Sequence, residues 1–124
     1  MSYAQRLVVA VTTAADGSAT VYSDGPVTGK VSQIRYVKTD FADGSTITVT
    51  SEATGETIWT EANVNASATR APRQATHSTD GAAALYAAGG VAVNDKIALA
   101  NDRVKIVIAA GGNVKSGVFH VAME

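Results

Sequence analysis

Valine and isoleucine together occur 22 times in the 124 residues, against three leucines, Leu7, Leu85 and Leu99. That ratio is the strongest constraint on the fold. Two heavy atoms on Cβ stiffen χ1 against a preceding helical turn, and the same branching packs well on a pleated surface. The β-branched residues fall in short runs bounded by Gly, Asp and Asn, which predicts strands over residues 6–13, 18–24, 30–39, 45–50, 56–61, 95–100, 103–110 and 117–123. In the fourth run Ile47 and Val49 share one face, and Thr46, Thr48 and Thr50 the other. Asp16-Gly17 predicts a hairpin between the first two runs. A turn containing Gly55 predicts another between the fourth and fifth. The last three runs read as a meander joined by Asn101-Asp102 and GGNVKSG. About eight short strands with turns every 8–12 residues predict one all-β domain over residues 1–124, an antiparallel sandwich or barrel.

Composition removes several functional classes. Ten basic against 11 acidic side chains, a net charge of −1, supply no basic stripe for a nucleic acid. The absence of cysteine excludes a disulfide framework, a thiol nucleophile and thiolate zinc sites. No apolar run approaches the roughly 20 residues of a membrane helix, and no membrane partner is expected. Arg6 followed by LVVAVTTAA imitates a secretory leader, but Thr12 and Thr13 interrupt a short apolar stretch. The first strand is the better reading, with synthesis in the cytoplasm.

The motifs that suggest chemistry fail on inspection. In GPVTGK only three residues separate Gly25 from Gly29, and Val31 stands where a phosphate loop needs Ser or Thr. Asp40 and Asp43 lack the alternating ligands of a calcium loop. Glu52, Glu56 and Glu61 read as solvated charges around a hairpin. His77 and His120 form a poor metal set without cysteine, and no Ser occupies a nucleophile elbow. Trp59, beside Ile58 in a strand, is expected to pack in the core or on a sheet face. Neither a catalytic residue nor a metal or other cofactor is expected, so the chain is predicted not to be an enzyme.

One stretch breaks the strand rhythm. Residues 62–80, ANVNASATRAPRQATHSTD, are small and polar without alternation, and read as an extended central loop or arm. Residues 81–90, GAAALYAAGG, permit a short helix or an extended turn. Arg70, Pro72, Arg73, Gln74, His77 and Tyr86 are the candidate protein-interface residues, with the two guanidinium groups as polar anchors on another chain. The last strands are apolar on both faces: Phe119, Val121 and Met123 oppose Val118, His120 and Ala122. Such strands are buried on both sides or covered by a neighbour, which predicts a homo-oligomer, dimer or trimer.

The succession IRYVKTDF, STITVTSEATGETIWTE, NASATRAPRQATHSTDGAAALYAAGG, NDKIALANDRVKIVIAAGG and GVFHVAM resembles small virion proteins of tailed bacteriophages, from about Val21 to Met123. Within that group it resembles capsid decoration (cement) proteins, which implies that the fold is an antiparallel, jelly-roll-like β-sandwich. The resemblance implies a structural module on the outer surface of the head, made in the bacterial cytoplasm and bound to the major capsid protein. A head–tail connector or tail-associated role is the alternative in the same particle. A carbohydrate- or ligand-binding sandwich is the rival from another class. Its aromatic residues would have to gather on one exposed face.

Overall fold

The computed structural model describes residues 5–77 and 80–124, and these contain ten strands and no helix. They are β1 (Gln5–Thr12), β2 (Ala19–Tyr22), β3 (Val27–Lys38), β4 (Ser45–Ser51), β5 (Thr57–Val64), β6 (Ala68–Arg70), β7 (Arg73–Ala75), β8 (Asn94–Asp102), β9 (Val104–Ala109) and β10 (Ser116–Met123). A front sheet runs β1-β10-β3-β8-β7, with β6 beside the second half of β3, and a back sheet runs β2-β9-β4-β5. Every pairing is antiparallel. With the two three-residue strands set aside, the first strand pairs with the last, the second with the second-last and the third with the third-last. The middle two pair with each other. This nested pairing, rolled into two four-stranded layers, is the jelly roll.

The topology corrects two local expectations. β1 and β2 form no hairpin: β1 lies in the front sheet and β2 in the back. The Asp16-Gly17 turn does form, with Gly17 at φ 85° donating its N–H to Ala14 O at 3.0 Å, but it carries the chain across the sandwich. Nor do β8, β9 and β10 make a meander, since β8 and β10 flank β3 while β9 lies between β2 and β4. Turn chemistry and alternation look the same whether the chain returns within a sheet or crosses to the other. The β4–β5 hairpin, closed near Gly55 at φ 73°, is as expected.

Residues 62–80 also differ from a structureless arm. β5 runs on to Val64, β6 pairs with β3 through Ile34↔Arg70, and β7 pairs with β8 through Arg73↔Lys96. Ser78 and Thr79 lie outside the described residues. Residues 81–90 form no helix. Leu85 bridges to Ala92 around a turn in which Gly90 N–H bonds Ala87 O at 2.8 Å. A run of Ala is cheap in a helix, but glycines on both sides leave too little length to offset helix nucleation.

Period-two alternation builds the core. Gly117, Phe119, Val121 and Met123 of β10 are buried while Ser116, Val118, His120 and Ala122 are half-buried. Phe119 stacks on Tyr36 at 5.0 Å between ring centroids, and Phe41 covers the other approach at 5.9 Å. Tyr36 is fully buried, and its hydroxyl has no hydrogen-bond partner among the described residues. Burial pushes its phenol up from 10.0 to about 12. An unpaired buried hydroxyl costs about 1–3 kcal/mol, so Tyr36→Phe is expected to raise stability by about 1 kcal/mol. Because the folded value is raised, the tyrosine protein should lose stability as the pH climbs past 10, and the phenylalanine variant should lose less. Urea unfolding of both proteins at neutral and alkaline pH measures each effect.

Candidate interaction surface

The outer face of the front sheet takes the alternate residues of three adjacent strands. Register sets them in rows: Arg6–Ala122–Gln33, then Val8–His120–Arg35, then Ala10–Val118–Val37. The result is a half-apolar sheet face bearing two guanidinium groups and an imidazole. A depression of about 320 Å³ lies between Arg6, Gln33, Arg35, Val37, His120 and Ala122. Arg35 donates from Nη1 to Thr69 Oγ1 of β6 at 3.0 Å, and His120 Nδ1 is buried without a partner among the described residues. The ion pairs of the described residues join Lys30–Asp95, Lys38–Asp43, Arg70–Glu61, Lys96–Glu124 and Arg103–Glu52. Neither Arg6 nor Arg35 belongs to any of them. The face is therefore locally cationic on a chain whose net charge is −1.

The structure divides the six residues predicted as interface. Arg70 forks onto Glu61 of its own chain, Nε to Oε1 at 2.7 Å and Nη2 to Oε2 at 2.9 Å. Arg73 donates from Nη1 to Ser32 O at 3.1 Å and Pro72 O at 2.8 Å, and Pro72 is buried. These three hold the excursion against its own sandwich. Gln74 and His77 are exposed, with His77 bridged to Ala83. Tyr86 is 76% exposed beside the turn of the 84–93 hairpin, with Val91 at 75% nearby in sequence, which makes this hairpin a second apolar projection.

Sequence reading passed over Arg6 and Arg35, although each is visible as a charge in an apolar run. What it lacked was strand adjacency: only the first-with-last pairing places β1 and β3 on either side of β10. Trp59, expected in the core or on a sheet face, is buried in the core and donates from Nε1 to Glu61 at 3.3 Å. Among the described residues, no three His, Asp or Glu side chains converge as a metal site.

At the opposite corner Arg103 forks onto Glu52 and lies 4.4 Å from the ring centre of Tyr22. The Arg103 hydrogen bond holds the Glu52 carboxyl below its ordinary value of 4.5, and the Arg70 bond does the same for Glu61. Hydrogen bonds from Lys96 N–H and Lys30 lower Asp95, and one from Lys96 lowers Glu124. A carboxylate lowered by folding stabilises above its unfolded value and loses that contribution as the pH falls through its folded one. Thermal melts should therefore be flat from neutral pH down to about 5 and fall steadily below about 4.5. Glu61→Gln should show a shallower acid slope than the parent.

No protein-family model matches the chain, and neither does any curated protein.

Proposed function

We propose that this chain is a structural protein of a tailed-bacteriophage virion, a decoration (cement) protein that binds the outside of the head through the major capsid protein. The observation that carries the reading is the outer face of the front sheet, where apolar side chains surround two guanidinium groups that have no carboxylate partner among the described residues. Such a face suits an acidic, partly apolar protein surface, since charge complementarity fixes register and orientation. Weak contacts of this kind gain strength from repetition over a lattice. The jelly roll is also an architecture of viral capsid domains, a likeness of fold alone. The carbohydrate-binding alternative draws less support, because Tyr36, Phe41, Trp59 and Phe119 are all buried.

Quantitative mass spectrometry of purified particles tests the assignment. On the order of hundreds of copies per particle is expected, as lattice binding requires. A handful would place the protein at the head–tail junction, and none would remove it from the virion. Within the expected case, Arg6→Glu together with Arg35→Glu should weaken binding to heads at least tenfold while leaving the fold intact.

A further inference from the structure

The two layers end in open edges, and most are blunted. β2 has four residues, and its last, Tyr22, lies against the Arg103 guanidinium. β5 shifts register twice against β4, and Asn63 within it takes φ 57°. β7 has three residues, two of them Arg73 and Gln74. Short length, bulges and long polar side chains are the usual defences against edge-to-edge pairing. β1 has none of them. Its eight residues pair with β10 without a register shift, Arg6 is its one charge, and it contains neither Gly nor Pro.

The direction of its free backbone groups follows from the register. Thr13, in step with the β1–β10 ladder, donates its N–H to Lys115 O at 2.8 Å. On the other side of β10, Glu124 and Lys30 exchange both bonds, at 2.9 and 3.0 Å. In an antiparallel ladder bonded and non-bonded pairs alternate. Hence Leu7, Val9 and Val11 are bonded to β10, and the N–H and C=O groups of Arg6, Val8, Ala10 and Thr12 point out of the sheet edge. A groove of about 260 Å³ opens alongside, between residues 5–9 and 23–27.

We propose that this edge pairs with the same edge of a second copy, antiparallel, about a two-fold axis at Val9. In that register Arg6 faces the partner's Thr12 and Val8 faces the partner's Ala10, so every outward N–H and C=O of β1 finds its complement. The core side agrees as well, with Leu7 opposite the partner's Val11 and Val9 opposite the partner's Val9. The two Arg6 guanidinium groups stand six residues apart along the strands, about 20 Å, and do not repel at close range. Any extended strand could satisfy the backbone groups, but a second copy also sets Leu7, Val9 and Val11 against matching apolar residues with no charge opposite a like charge, and this favours a second copy as the occupant. The two front sheets become one continuous layer with both half-apolar outer faces on the same side. The pairing does not rest on the capsid assignment and is tested in the free protein.

Sedimentation of the full chain should give a dimer. Ala10→Pro removes an outward N–H only, a substitution that edge strands tolerate, and should give a folded monomer with an unchanged β spectrum. Val9→Cys places two thiols across the axis, in a non-bonded pair with Cα atoms about 4.5 Å apart, within disulfide reach. It should oxidise to a covalent dimer. Val11→Cys, whose copies lie about 13 Å apart in this register, should not. A monomeric wild type, a dimer that survives Ala10→Pro, or equal cross-linking of the two cysteine variants would overturn the pairing. Should Ala10→Pro fail to fold, the cysteine pair decides.

Discussion

Phe119→Ala is expected to cost about 3–5 kcal/mol, lowering the melting temperature by about 10–20 °C. Phe119 has no exposed surface, and its ring lies 5.0 Å from that of Tyr36. Its removal leaves a cavity in a layer that cannot collapse, because Gly117 beside it is already in contact with the same aromatic group. A Cβ at Gly117 would stand 2.8 Å from Phe41 Cε2 and 3.1 Å from Tyr36 Cε1. A domain of this size has roughly 5–15 kcal/mol in total, so the variant should be barely folded at 37 °C if the parent lies at the low end. Differential scanning calorimetry of the two proteins gives the value. A loss below about 1 kcal/mol would show that the aromatic stack does not hold the front sheet. Val8→Ala, on the exposed outer face of the same sheet, should change stability by less than about 0.5 kcal/mol.

Gly17→Val should cost about 2–4 kcal/mol, although it lies in a surface turn. Gly17 sits at φ 85°, where a β-branched residue is strained. A Cβ there would stand 3.0 Å from Gly112 N and 3.2 Å from Gly111 N, both backbone atoms with little freedom to give way. Gly111 N–H bonds Gly17 O at 2.8 Å, and Ala42 N–H bonds Gly111 O at 2.9 Å, so three crossing loops are fastened at this corner. Gly55→Val isolates the strain term. Gly55 has φ 73° and open space around its missing Cβ, so its variant should lose only about 1–2 kcal/mol. Equal losses at the two glycines would mean that the backbone contact at Gly17 carries no weight.

These two positions also mark how far the sequence was readable. The alternation of Phe119, Val121 and Met123 against Val118, His120 and Ala122 appears in the sequence and in the burial of β10 alike. Asp16-Gly17 announced a turn, and a turn is there. Neither signal carries information about which sheet the next strand enters, because a tight turn and a crossing use the same residues. The jelly-roll pairing depends on contacts between residues as distant as Gln5 and Met123, and no local pattern reports them. The interface residues follow the same division. Arg70 and Arg73 stood out as anchors, but the partner of Arg70 proved to be Glu61 of the same chain. The Glu61–Arg70 pair is visible only once β5 and β6 are placed. The exposure of Tyr86 needed no such knowledge, since an aromatic residue among alanines and glycines has little to pack against.

Pairing the first strand with the last sets a timetable for synthesis. At about 5–20 residues per second, Gln5 is polymerised roughly 6–24 s before Met123, the residue it lies against. Throughout that interval β1 exists as an apolar ribbon without its neighbour, while the β4–β5 hairpin can already close. The β1-β10-β3 half of the front sheet must therefore form after translation of β10, at a rate limited by closure of a long loop, whereas β3, β6, β7 and β8 can pair before it. A cell that makes this protein in bulk carries a standing population of nascent chains in which the apolar β1 is made well before the strand that covers it.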